Sequence, residues 1–142
     1  MLVLALASTT LTLPRVDAIN EIASTRWLKL QTLDYTDQSG RARKWDMATR
    51  TTKAAGVADA VVILPLLRRA GETLGETIVV EQYRPPIGAP TVELPAGLID
   101  AGESPQEAAL RELKEETGFV GAVRSCSPPI ALSPGMSDEL VH

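Results

Sequence analysis

Gly97 is followed after five residues by Glu103, and Glu103 after seven by the run Arg111-Glu112-Leu113-Lys114-Glu115-Glu116-Thr117-Gly118-Phe119. Within this frame the local chemistry specifies a helix over Pro105 to Thr117. Ser104 is a good N-cap, Pro105 takes the first helical position, Glu107 completes a Ser-x-x-Glu capping box, and Gly118 is a natural stop. At about 100° per residue, Ala109, Leu110, Leu113 and Thr117 fall on one side, the expected core face. Glu112, Glu115 and Glu116 fall on another, beside Ala108. Three carboxylates within one turn repel each other, and a cation between them would remove that penalty. The plainer reading is a solvated acidic face, partly neutralised by Arg111 and Lys114.

Around the helix the pattern is β-like. Residues 27–35 partly alternate, Asp37-Gln38-Ser39-Gly40 has turn composition, and Arg43 to Thr52 can return as the second strand of a hairpin. Ala60 to Leu64 and Thr77 to Tyr83 are rich in β-branched residues and suit strands buried on both faces. Arg84-Pro85-Pro86-Ile87-Gly88 breaks the pattern, and Thr91 to Leu94 forms a short strand ended by Pro95. The expected organisation is a leader over 1–21, a hairpin element over 22–56 and a domain over 57–142 that carries the helix.

The full frame, G-x5-E-x7-R-E-U-x-E-E-x-G-U with U a bulky apolar residue, is met at every position, and the chain resembles the Nudix hydrolases. Glu81-Gln82-Tyr83-Arg84-Pro85-Pro86, Glu93-Leu94-Pro95-Ala96-Gly97-Leu98-Ile99-Asp100 and Ser133-Pro134-Gly135-Met136-Ser137-Asp138-Glu139 resemble the ADP-sugar pyrophosphatase branch of eukaryotic type, from about Ile22 onward. The resemblance implies an α/β fold, the Nudix α/β/α sandwich with mixed sheet, preceded by an N-terminal hairpin. It also implies hydrolysis of ADP-ribose and related ADP-sugars to AMP and a sugar phosphate.

The resemblance assigns residues as well. Glu112 and Glu116 would be the main ligands of Mg²⁺, or alternatively Mn²⁺, with Glu115 an additional one and the carbonyl of Ala96 completing the sphere. Oxygen donors and retained waters suit that ion. Arg111 and Glu103 would orient these carboxylates, and Gly97 would allow the turn that brings Ala96 close. Trp27 and Trp45 match positions that stack adenine, although both also suit hairpin core or a dimer contact. Arg50 and Arg84 are candidates for diphosphate or base contact, or for surface ion pairs. Glu93 would hold a ribose hydroxyl or support the metals, and Leu98 would pack near the sugar. Related enzymes can carry an acidic residue where Ser133 stands. The branch exchanges its N-terminal hairpin across a homodimer, so the segment Trp27 to Arg50 is the expected dimer element.

Composition narrows the partners. Net charge is -4 over 142 residues, which opposes a broad footprint on nucleic acid. The apolar run Leu2 to Ala7 is too short to span a bilayer, and a secretory signal is weakly drawn because no cation precedes Arg15. One cysteine, Cys126, allows no internal bridge and is expected to be small apolar filling, buried or half-buried. The expected address is cytoplasmic, with nucleus or mitochondrion as alternatives. Only 23 residues follow Phe119, fewer than the branch needs for its remaining strands, closing helix and water-activating glutamate. The expectation is therefore a C-terminally shortened chain. Two competing functions stay open: the same fold acting on another nucleoside diphosphate derivative, and a catalytically inactive fragment that only binds.

Overall fold

The computed structural model describes residues 12–52, 58–68, 71 and 75–142. The chain divides into two compact units. One comprises residues within Met1–Thr52 together with Ser133–Asp138, and the other Lys53–Leu132 with Glu139–His142.

The first unit is an antiparallel sheet of β1 (Arg15–Ser24), β2 (Leu28–Thr36) and β3 (Ala42–Arg50), in the order β1-β2-β3. The expected hairpin is β2-β3, with Leu33 opposite Trp45 and Leu28 opposite Arg50. Its turn is fixed by Asp37, whose Oδ1 accepts from the amides of Ser39 and Arg41 at 2.8 and 3.0 Å. Its Oδ2 accepts from Arg43 Nε at 3.0 Å. These donors hold the Asp37 carboxyl below its usual range, the Arg41 amide most strongly. β1 was not foreseen. A ten-residue strand occupies Arg15–Ser24, residues the sequence reading left largely to a leader, and it pairs with β2 through two register irregularities. Its polar and apolar residues alternate poorly across those irregularities, which hid it. The rest of the expected leader, residues 1–11, lies outside the described residues.

In the second unit β4 (Ala60–Val62), β7 (Ala96–Leu98), β8 (Ile130–Ala131) and β9 (Leu140–Val141) form a mixed sheet in the order β7-β4-β9-β8, with β4 parallel to β9. β5 (Val80–Arg84) and β6 (Ala89–Glu93) make a separate antiparallel ribbon. The expectation that β4 and β5 are buried on both faces fails. β5 has one partner strand and is mostly exposed, and within β4 Val61 is 2% exposed while Val62 is 39% exposed. Residues 77–79 precede the ribbon without joining it.

Helix α1 (Pro105–Thr117) has the predicted bounds. Ser104 accepts from the Glu107 amide, Glu107 returns a bond to the Ser104 amide, and Gly118 closes the helix at φ 74°. α1 lies on β7 and β4. The docked face overlaps the expected one in part: Leu113 is 8% exposed, as the wheel implies, whereas Ala108, from the acidic side, is 0% exposed and Leu110 is 39% exposed. Glu112, one turn on from Ala108, lies against the glycine of β7. Leu110 instead borders an open cleft of about 730 Å³, lined also by Leu113, Phe119 and Val123. Cys126, expected to be covered, is exposed.

Candidate active site

The helix brings its carboxylates to the backbone of β7, and Gly97 makes that approach possible. A Cβ at residue 97 would overlap the carboxylate carbon and both oxygens of Glu112. Gly97 is absent from the positive-φ glycines, so its role is clearance rather than the special turn expected of it. Glu116 reaches the same strand, with Oε2 accepting from the Ala96 amide at 3.1 Å. At Ala96 it is therefore the N–H that meets the helix carboxylate.

Arg111 ties the cluster together. It binds Glu103 through Nε and Nη2, both at 2.9 Å, and Glu112 through Nη1 at 2.6 Å. Nη2 also donates to the Leu98 carbonyl at 2.9 Å, and Nη1 lies 3.4 Å from Glu115. A planar fork suits this, since each N–H has a fixed direction. Arg111 holds the Glu103 carboxyl below its usual range, helped by the Asp100 amide at 3.1 Å. In return Glu103, and then Glu112, hold the guanidinium firmly protonated. Glu112 is the covered member, with its side chain 14% exposed against 60% for Glu115, and Glu116 is exposed as well. The sequence reading put Leu98 near the sugar; the observed contact of this residue is its carbonyl, with a side chain 41% exposed.

On the β5-β6 ribbon Arg84 and Glu93 form a two-pronged ion pair at 2.8 and 2.6 Å. Arg84, then the Thr91 hydroxyl, push the Glu93 carboxyl down to about 2. Glu116 also acts electrostatically on Arg84, which places the ribbon within range of the helix carboxylates. Arg84 is therefore an ion-pair partner as well as a candidate anion ligand. Thr91 escaped the sequence reading, because a threonine in a strand carries no signal of its own.

The indoles belong to the other unit. Trp27 is 59% and Trp45 46% exposed. The Arg26 guanidinium lies 4.5 Å from the centre of the Trp27 ring, and Trp45 Nε1 donates to the Gly135 carbonyl at 3.2 Å. The register sets Trp45 opposite Leu33, six residues or about 20 Å of strand from Trp27, a backbone spacing too wide for the two indoles of one chain to sandwich a single base. Arg50 ends β3 opposite Leu28.

Among the described residues no three His, Cys, Asp or Glu side chains already converge on one point as a metal cage. None of the described helices is long and apolar enough to cross a membrane.

Comparison with known proteins bears on the family and the fold. A family model described as the NUDIX domain matches residues 57–131. The ADP-sugar pyrophosphatase of Mus musculus is 44% identical over 123 residues, covering 85% of this chain and 55% of the relative. The ADP-ribose pyrophosphatase of Saccharomyces cerevisiae is 42% identical over 120 residues, covering 84% and 52%. A crystal structure of an ADP compounds hydrolase superposes with a TM-score of 0.73 at 25% identity, covering 94% of this chain and 66% of that one. The chain thus spans about half the length of the curated relatives it matches.

Proposed function

Because the chain belongs to the NUDIX family, we propose that it hydrolyses the diphosphate of ADP-ribose and related ADP-sugars, with a divalent cation, to AMP and a sugar phosphate. The observation that carries the reading is the pair Glu112 and Glu116, seated from one helix face against the Ala96–Gly97 backbone where a side chain at 97 would not fit. The names of the mouse and yeast relatives support the substrate class.

The residues fit a hard cation. Glu112, Glu115, Glu116 and the Ala96 carbonyl are all oxygen donors, and Mg²⁺ keeps several waters, so a complete protein cage is not required. Mn²⁺ is the alternative ion. Bound there, the cation would neutralise charge on the diphosphate and activate water. Glu112 and Glu116 are the principal ligands in this reading. Glu115, exposed and held only by the long 3.4 Å contact to Arg111, can turn either to the cation or to the attacking water. Arg111 keeps Glu112 in place and is itself held by Glu103, so both act through the ligands. Arg84 would engage the diphosphate and Glu93 a ribose hydroxyl, with Leu98 beside the sugar. Trp27 and Trp45 would stack the adenine, with Arg50 near the base. Since the two rings of one chain stand too far apart, the second ring would come from a second copy, and the β2-β3 hairpin would be the dimer element.

Hydrolysis breaks one P–O bond of the diphosphate bridge and forms one P–O bond to the water oxygen. Incubating the chain with ADP-ribose and Mg²⁺ or Mn²⁺ should give AMP and ribose 5-phosphate in equal amounts by chromatography. Glu116→Gln should lower the rate at least about 100-fold. Preference for a nucleoside triphosphate, or full activity of Glu116→Gln, would sink the reading. Binding of ADP-ribose without turnover would leave the chain a nucleotide-binding module.

A further inference from the structure

Thr91 stands opposite Gln82 in the β5-β6 ribbon. Its hydroxyl faces two acceptors at once: the Gln82 carbonyl at 3.1 Å and Oε1 of Glu93, a notably short contact. Neither can donate. A hydroxyl carries one proton, so it serves one acceptor at a time. The carboxylate is the stronger of the two. The Oε1 atom that takes this proton also accepts from Arg84 Nε, while Arg84 Nη2 holds Oε2. Thr91, Glu93 and Arg84 are thus one chain of contacts, with the hydroxyl at its fixed end.

We propose that Thr91 is a positioning residue for the Arg84–Glu93 pair, a rotor that braces the Glu93 carboxylate in the free protein and turns to the Gln82 carbonyl when that carboxylate engages ligand. The second acceptor is what makes the device work. When Glu93 moves, the Thr91 proton keeps a partner, so releasing the carboxylate leaves no unpaired donor behind. Without the hydroxyl, Glu93 is fixed only by a guanidinium that the ligand's own phosphates would compete for. The pair would then sample other arrangements before binding. The cost falls on ligands that carry both a diphosphate and a terminal ribose, and spares those that carry neither. This inference rests on the proposed assignment of Arg84 to the diphosphate and Glu93 to the ribose.

The test uses equilibrium binding by calorimetry on the full chain with Mg²⁺ present, the ligands being adenosine and, standing for ADP-ribose, its methylene-bridged analogue, whose P–C bonds water does not cleave. Thr91→Val keeps the shape and the β-branch and removes the proton, while Thr91→Ser keeps the proton. Thr91→Val should weaken ADP-ribose about 5- to 20-fold and adenosine less than about twofold, and Thr91→Ser should stay within about twofold of the parent for both. Glu93→Gln and Arg84→Ala serve as references. If they weaken ADP-ribose but Thr91→Val does not, the positioning role is overturned while the site stands. Equal weakening of adenosine and ADP-ribose by Thr91→Val would mark a general structural effect and overturn it too. If none of the four variants alters ADP-ribose binding, or the parent does not bind it, the assignment of Arg84 and Glu93 falls and takes the inference with it.

Discussion

Gly97 contributes by having no side chain. The Glu112 carboxylate occupies the volume a Cβ would take, so Gly97→Ala must push either Glu112 or β7 aside. Helix and strand are both anchored elsewhere, by the capping box and by pairing of Val61 with Gly97, and the flexible side chain should be what moves. The variant is therefore expected to fold with unchanged circular dichroism and to bind Mn²⁺ about 10- to 100-fold more weakly, as read from free Mn²⁺ in electron paramagnetic resonance. Parent-like affinity would separate Glu112 from the cation site. At Glu93 the sign of the pH effect follows from its depressed pKa. The folded value is about 2 against the ordinary 4.5, so the ion pair with Arg84 stabilises fully above pH 4.5 and its contribution is lost as pH falls through about 2. Glu93→Gln should remove this part of the acid-induced loss, seen as a flatter dependence of denaturation midpoint on pH between those limits; an unchanged slope would show that the pair does not hold in solution. These two residues illustrate what was readable in advance. The spacing of Gly97, Glu112 and Glu116 pointed to the candidate site, because it is a pattern of identities, and the fold brings the three together. The reason for Gly97 was not readable, since clearance depends on which helix residue arrives opposite it.

At the scale of elements, legibility follows how local the determinants are. α1 was readable to its ends because Ser104, Pro105, Glu107 and Gly118 act within the helix and one residue of it. Ser104→Ala removes the hydroxyl that accepts from the Glu107 amide and donates to the Glu107 carboxylate, and leaves that carboxylate only the amide of residue 104. It should cost about 1 kcal/mol in chemical denaturation, with Ser104→Thr close to the parent. No loss would mean that the first turn contributes nothing to the stability of its unit. The docked face of the same helix was readable only in part: Leu113 is buried as expected, but apolarity ranks Leu110 above Ala108 while packing against β7 rewards the smaller residue. The strands were readable as strands but not in their surroundings. β-branched composition over Thr77 to Tyr83 suggests burial on two faces, yet β5, which takes up Val80 onward, pairs with β6 alone among the described strands and lies mostly exposed. β1 was missed because its two register irregularities interrupt the period-two pattern.

At the scale of the molecule, the chain leaves the N-terminal unit after Thr52 and re-enters it at Ser133–Asp138. There the Met136 carbonyl accepts from the Ala48 amide at 2.9 Å, and the Trp45 indole donates to Gly135 across 90 residues of sequence. No local pattern announces such a pairing, so the loop Ser133-Pro134-Gly135 was legible as a motif and not as a prop for Trp45. That prop fixes one indole while Arg26 lies against the other, and the two residues remain about 20 Å of strand apart in one chain. If a base is held by both, a symmetric dimer must place Trp27 of one copy near Trp45 of the other. Trp27→Ala and Trp45→Ala alone should each weaken ADP-ribose binding about tenfold or more, as loss of a stacking ring does. Mixed one to one after joint refolding, half of the dimers would pair one variant with the other. Each such dimer regenerates one site with both rings and loses both rings from its second site. Titration should then recover parent affinity at about a quarter of the parent's sites. Recovery at none of them, with dimers present by analytical ultracentrifugation, would show that the two indoles do not share a ligand across the subunits.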